Sequence, residues 1–504
     1  MKKFLKLNKI NILEIVLILS PIIDILTSMS QRILRVDISL GLIIRSFLLL
    51  FMISYTVLKS KYKHKKISII YLITIAIYAI LFLSNIYICK GSKYIIAETK
   101  ELVKAFYFPI CLVTILNYTE TKGYKIDLKL LFCVIVEYII LLFIPSICHL
   151  GYESYAEDKI GTIGWFFSAN EISSIYSILI VLIVFSYKYI KNIWCYFILL
   201  LISFYTVMQI GTKMPAISTI IAIIAFILFN IVKYMKNRRK DTISSIFVGF
   251  GMILLFLIVF VTSPVMKNFD IYKNYLISTR EHQDVIESNA ISIESNEESD
   301  ETKAEEIIAH NEQIVQSEIN EEKVVAENNI EKDSIKTIEE SENQLEEETK
   351  ELTSDEIATI IHSGRVETLS KINSIYLKSN IITKIIGLGR IDIDNNDEYL
   401  IEIDYFDILY NFGILGFIIY FSSVIIVSVM ILKNVVINKI GKVFENDYNF
   451  CYIIIITNGI ICAIAGHTLV APAVSIYIVL VLVQFFSEQE KKEFIWKSQF
   501  WLCI

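Results

Sequence analysis

The densest set of residues able to do chemistry lies in IEIDYFDILYNFGILGF at 401–417. Glu402, Asp404 and Asp407 fall within six residues, just ahead of a long apolar run. Carboxylates beside hydrocarbon are costly unless they pair with Arg or Lys, bind cations or move protons. On a helix Asp404 and Asp407 would share a face, whereas Glu402 and Asp407 would be separated by five steps of about 100°. A carboxylate can take a proton from an attacking hydroxyl. Glu402, or failing it Asp404, is therefore the candidate general base, with Asp407 a candidate substrate contact.

Several cations stand where a membrane protein should avoid them. Arg45 lies inside an apolar run, and Asp24 lies in the run before it, so the two can meet as an ion pair or Arg45 can face an anion. Lys100 and Lys104 in AETKELVKAFYFP share a helix face. Lys100 suits snorkelling to headgroups, while Lys104 abuts the apolar run and suits an anion. Lys213 is the only charge in GTKMPA, and Arg365 opens RVETLSKI. A guanidinium binds a phosphate through two parallel hydrogen bonds. Arg45, Lys213, Arg365 and Lys104 are thus candidates for holding an anionic group. In GWFFSANEIS, Asn170 is placed to cap a helix with Glu171 in its first turn; both are also candidate substrate contacts. His467, in AGHTLVAP, is a candidate contact for an acceptor.

The elements that must position these residues are membrane helices. The chain has 504 residues, 55 % hydrophobic and 20 % charged, with a mean hydropathy of +0.57. A soluble chain keeps about a quarter of its residues charged. Apolar segments fall at about 10–28, 38–58, 67–88, 105–118, 130–148, 170–187, 193–209, 216–234, 243–265, 412–432, 449–466 and 470–486. Most approach the roughly twenty residues that cross a bilayer. The expected fold is an all-α polytopic membrane protein with about twelve transmembrane helices. The first segment is expected to be a span rather than a signal peptide: it is long, holds Asp24 and lacks a small-residue cleavage site. Lys and Arg concentrate at the N-terminus, in KSKYKHKK, YKYIKN, KYMKNRRK and LKNVVINKIGK, and in the tail. These all fall on one side if all twelve segments span. The positive-inside bias makes that side the cytoplasm, so the expected location is the cytoplasmic membrane with both termini cytoplasmic.

This topology divides the chain into spans one to nine (1–265), one large extracytoplasmic loop (266–411), and the last three spans with a cytoplasmic tail (412–504). Residues 281–360 carry 26 Asp and Glu against 5 Lys, leaving 27 acidic and 42 basic residues elsewhere. The overall net charge of −6 therefore hides an acidic insert in a basic protein. Residues 281–356 contain no Phe, Tyr, Trp, Gly, Pro or Cys and suit a disordered segment or loose helix. Residues 357–411 suit a helical, catalytic part, with Val366, Leu369, Ile372 and Ile375 at helical spacing, a GLG turn at 387–389, and a second helix from about Asp397. No CxxC, Cys/His metal spacing, P-loop or dinucleotide fingerprint is present. Cys89 and Cys148 would lie near the same outer surface.

In this order the pieces resemble the O-antigen ligase / O-antigen polymerase family of bacterial surface-polysaccharide assembly proteins. The local carriers are GWFFSANEIS, GTKMPA, SGRVETLSKI, IIGLG, EIDYFDILYNFGILGF and AGHTLVAP. The most specific feature is an outer-loop Arg, then a GxG turn, then a polar residue before a helix ending in GxxG. Here these are Arg365, Gly387, Gly389, Glu402, Gly413 and Gly416. The resemblance implies inverting glycosyl transfer on the outer face, with no metal or other cofactor. The donor would be a glycan on a polyprenyl diphosphate, usually undecaprenyl diphosphate, and Arg45, Lys213, Arg365 and Lys104 would hold that diphosphate as charge develops on it. Partners would be that donor, a glycan acceptor, membrane lipid and other polysaccharide-assembly proteins, with no nucleic acid. Ligases of this family usually carry His where this chain has Glu402, which favours a polymerase or a wall-attachment enzyme. A flippase or exporter of the same lipid-linked sugars is the competing reading, and it would carry charges reaching both leaflets.

Overall fold

The computed structural model describes residues 11–35, 39–123, 128–155, 160–188, 190, 192–238, 240–274, 277, 365–390, 401–437, 449–464, 466 and 468–484. The first half of the chain forms α1 (Ile12–Arg32), α2 (Leu40–Leu58), α3 (Lys65–Lys90), α4 (Ile95–Lys122), α5 (Leu128–Ile147), α6 (Ala169–Phe185), α7 (Ile193–Gln209), α8 (Lys213–Asn237) and α9 (Lys240–Val261). The second half forms α10 (Arg365–Lys378), α11 (Ile381–Ile386), α12 (Asp404–Ile437), α13 (Asn449–Ile464) and α14 (Pro472–Gln484). The described residues hold no strand, only an isolated bridge between Glu153 and Thr162. The protein is an all-α polytopic membrane protein. A helix is present in each of the twelve apolar segments. Among the described residues eight helices are long and apolar enough to cross a membrane, and four apolar ones are shorter.

Apolar side chains face outward as well as inward, as a lipid solvent allows. Ile70, Ile73, Ile77 and Ile80 of α3 are all exposed. α4 buries 72 % of its most apolar stretch against 22 % for α3, so α4 is central and α3 peripheral. α4 is also longer than the apolar run predicts, because its amphipathic lead from Ile95 is continuous with it. Phe106 of α4 meets Tyr78, Phe412 and Tyr420 in edge-on and tilted contacts, geometries that aromatic quadrupoles favour.

The two glycine motifs are one contact. Gly387 (φ 125°) and Gly413 (φ 67°) both adopt backbone that other residues avoid. A Cβ on Gly413 would fall 2.5 Å from the Ile385 carbonyl, and one on Gly387 would fall 2.3 Å from the Asn411 carbonyl. The turn then hydrogen-bonds along the helix, Leu388 N–H to the Tyr410 carbonyl at 3.0 Å and Gly389 N–H to that of Asn411 at 2.9 Å. Gly413 kinks α12. The Tyr78 hydroxyl occupies the break, donating to the Phe412 carbonyl at 2.6 Å and the Ile386 carbonyl at 3.0 Å.

Two expectations for the outer segment change. Residues 401–403 are not helical, so among the described residues the last long helix starts at Asp404 rather than near Asp397, and Glu402 lies ahead of it. On α10, Ile372 is buried but Ile375 is 39 % exposed; Tyr376 takes the inner position instead, against Tyr410. Cys89 and Cys148 are both free. The chain divides into two compact units. One comprises Met1–Ser154, Gly161–Val265 and Gly364–Ile504, and the other comprises Tyr155–Ile160 and Met266–Ser363. In the second, the Asn268 amide brackets the Ile160 backbone with two 2.7 Å hydrogen bonds.

Candidate active site

At the end of the bundle where α1 finishes and α2, α6 and α14 begin, a cavity of about 350 Å³ opens. This is near the lower end of the range for small-ligand sites, roughly 300–1,000 Å³. Asp24, Arg45, Lys104, Asn170, Glu171 and Arg390 bring it charge and polarity. Arg45 is buried and pairs with Asp24. The second Asp24 oxygen accepts from the Tyr138 hydroxyl at 3.0 Å, and Tyr138 in turn accepts from Tyr477 at 3.1 Å. Lys104 Nζ pairs with Glu101 at 2.5 Å while its side chain keeps 28 % exposure. Lys100 is exposed.

Arg365 and Glu402 form a second ion pair, Nε to Oε2 at 2.5 Å. The other Glu402 oxygen accepts from the Asn170 amide at 3.3 Å. Asn170 therefore does not cap α6. Ser168 holds the cap position and Asn170 sits in the first turn, where its side chain joins the cavity to the Arg365–Glu402 pair. Arg365 also reaches the Ile464 carbonyl at 3.4 Å, and the Glu402 carbonyl accepts the Gly466 N–H. Glu402 is thus fixed from α6, α10 and the end of α13, yet its side chain remains 33 % exposed.

The other two carboxylates are buried. Asp404 Oδ2 accepts the backbone N–H groups of Thr468 at 3.0 Å and Leu469 at 2.8 Å, so this carboxylate shapes the approach to α14. Asp407 does not line the cavity. It pairs with Arg390 and accepts from the Asn411 amide at 2.8 Å.

Arg390, which motif reading passes over, is the hub of a buried charge cluster. Its guanidinium bridges Asp407 and Glu101, the latter at 3.0 Å. Its backbone N–H donates to Glu98 at 2.9 Å, and Glu98 also pairs with Lys90 at 2.9 Å. Three cations (Lys90, Lys104, Arg390) so meet three carboxylates (Glu98, Glu101, Asp407). Burial works against the Arg390 charge, but Asp407 and Glu101 outweigh it and raise its pKa above the ordinary guanidinium value. The signal in the sequence was a lone Arg after GLG on the expected outer side, the same argument that marks Lys213. Glu98 and Glu101 sit beside the lysines of AETKELVK, but their burial follows only from an Arg almost 290 positions away.

Lys213 opens α8 and is not among the residues lining the cavity. Its neighbour Thr212 is tied to Ser173 of α6 at 2.5 Å. His467 lies outside the described residues. Among those described, no group of three or more His, Cys, Asp or Glu is placed to hold a metal ion. The arrangement offers an accessible carboxylate next to an amide that lines a cavity, with Arg45, Lys104 and Arg390, each paired with a carboxylate, in the same lining. That combination suits proton removal beside an anionic group.

The sequence matches the family described as O-antigen ligase like membrane protein over residues 7–491. The chain belongs to that family. No curated protein and no solved structure matches it. As an O-antigen ligase-like protein it is a multi-pass membrane enzyme of polysaccharide assembly that transfers glycan, with lipid-linked glycans as its substrate class. Gly387 of GLG and Gly413 of GILG are the two halves of the turn-to-kink contact that precedes and follows the Glu402 segment.

Proposed function

We propose that the protein polymerises or ligates polyprenyl-diphosphate-linked oligosaccharide at the outer face of the cytoplasmic membrane by inverting, metal-independent transfer, with Glu402 as general base. The observation that carries this is the Arg365–Glu402–Asn170 chain. It places the one exposed carboxylate of the 402–407 cluster against a residue that lines a cation-bearing cavity. An acceptor hydroxyl oxygen attacks the anomeric carbon and the glycosidic bond forms. The bond from that carbon to the diphosphate oxygen breaks, and its electron pair leaves with the polyprenyl diphosphate. The hydroxyl proton passes to Glu402. Arg45 and Lys104 stabilise the leaving diphosphate from the cavity wall, and Arg365 exchanges Glu402 for it when substrate enters. Lys213 serves at the α8 end, Glu171 and Asn170 orient sugar hydroxyls, and His467 contacts the acceptor. Asp404 and Asp407 hold the segment on which Glu402 sits. In this reading the substrate itself supplies the anion that frees the base from its counter-ion.

The test is transfer by purified protein, with lipid-linked repeats from the host and no energy source. The wild type is expected to lengthen or transfer the glycan, and Glu402→Gln to lose about 10²–10⁴ of the rate. A Glu402→Gln variant at full rate would remove this assignment. Movement of lipid-linked glycan across a vesicle membrane without transfer would replace the enzyme reading with transport.

A further inference from the structure

The cavity's lining is of two kinds. Arg45, Lys104 and Arg390 stand in it with the carboxylates Asp24 and Glu171, and Gln31, Ser39, Phe166, Phe167, Ser168 and Asn170 add an aromatic and amide set. Flat apolar rings interleaved with amide and hydroxyl groups suit a pyranose, which offers an apolar C–H face and a rim of hydroxyls.

Phe167 is the exposed ring of that set, at 46 %, and it is built into place. The Arg32 guanidinium donates to its carbonyl at 2.9 Å and stands 5.3 Å from its ring and 4.4 Å from that of Tyr152. Tyr152 is fixed by a short backbone ladder, its N–H to the Gly164 carbonyl at 2.6 Å and its carbonyl to the Ile163 N–H at 2.9 Å. That hairpin is in turn anchored to the end of α7, through Thr162 N–H to the Gln209 carbonyl at 2.7 Å and the Ser154 hydroxyl to the Ile210 carbonyl at 2.6 Å. Phe166 stacks on Tyr138 with its centroid 5.6 Å away. An aromatic that merely anchors in headgroups needs no such framework and does not face a polar cavity.

We infer that Phe167 is the stacking platform of an acceptor-sugar subsite, with Gln31, Ser39 and Ser168 facing the sugar's hydroxyl rim. It is an acceptor subsite because Phe167 and Ser168 directly precede the first turn that carries Asn170, whose amide holds Glu402; a hydroxyl presented here is the one nearest the base. The inference rests on the transferase reading and specifies where one of its two substrates lies.

The test separates the two. The probe is the host repeat-unit oligosaccharide released from its lipid diphosphate by mild acid, so that it carries no diphosphate. Its binding to full-length purified protein is read by saturation-transfer NMR, independently of turnover. Wild type and Phe167→Trp are expected to saturate the sugar ring protons, Phe167→Ala to lose most of that signal, and Lys100→Ala, an exposed position outside the cavity lining, to retain it. In the transfer assay, Phe167→Ala should raise the acceptor KM about five- to tenfold, with kcat and donor KM little changed. Arg32→Ala should act in the same direction, because it unseats the ring. Equal glycan binding by wild type and Phe167→Ala, or no binding by wild type, overturns the subsite. So does a variant that changes donor and acceptor KM alike, the result expected of a headgroup anchor. Absence of transfer by a wild type that binds glycan through Phe167 would instead remove the transferase reading and leave the sugar site standing.

Discussion

Three carboxylates within six residues have been sorted by their surroundings into different tasks. Glu402 keeps a third of its side chain exposed and has two side-chain partners, Arg365 and Asn170. Asp404 is committed to two backbone N–H groups and Asp407 to a buried guanidinium. Activity and stability should therefore separate. Glu402→Gln should cut transfer about 10²–10⁴-fold while leaving the melting temperature in detergent nearly unchanged. Asp404→Ala should cost about 1–3 kcal/mol of stability, the penalty for two orphaned donors, and lose activity only as folded protein is lost. Equal destabilisation by both would contradict the division. The sequence reading reached all three residues, since carboxylates beside hydrocarbon are conspicuous. It did not separate them, because Asp404 is bonded to a segment more than sixty positions later, and nothing local in the sequence encodes that. Arg390 was missed for the same reason. Removing it leaves Asp407 and Glu101 as buried charges short of a counter-ion, so Arg390→Met should cost about 3–5 kcal/mol, with Arg390→Lys restoring part of it. Thermal melting of the purified variants measures both.

Among the elements, α12 shows how the membrane part serves the site. Its kink at Gly413 receives the GLG turn, and the Tyr78 hydroxyl of α3 closes the junction. This fixes Arg390, directly after the turn, over α4. Gly413→Ala has to relieve both a positive φ and a 2.5 Å approach to the Ile385 carbonyl. It should lower folded yield sharply and collapse activity with it. Tyr78→Phe removes only the shared donor and should cost about 1–2 kcal/mol, with an intact substrate KM in the protein that remains. A Gly413→Ala protein of normal stability would show that the turn and the kink are not mutually dependent. The apolar segments were legible because hydrophobic runs of membrane length are strong signals. The start of α4 was not, since charged Glu98 and Glu101 look like surface residues until Arg390 is placed beside them. The glycines were legible as a motif, but their shared contact was not, because pattern reading gives spacing and not partners.

For the whole molecule, acidic charge is concentrated in one stretch of the chain, residues 281–356, which lie outside the described residues. Among the described residues, those that build the cavity and the Glu402 pair lie between Asp24 and Ala473. The 281–356 stretch holds nearly half of the 53 acidic residues. Lengthening a loop costs entropy only logarithmically, so an insert of this length can be carried by a functional scaffold and removed from it at small thermodynamic cost. Joining 280 to 357 should therefore leave transfer by the purified protein at its wild-type level and the melting temperature little changed. The same deletion turns a net charge of −6 into a strongly basic one, so the variant should bind anionic vesicles and anionic wall polymer more tightly, an effect that fades as salt screens it. Loss of transfer by a variant that still folds and melts normally would show that the acidic stretch takes part in the reaction. A gain in anionic-polymer binding at unchanged transfer would assign it instead to keeping a basic membrane enzyme clear of the charged polymers around it.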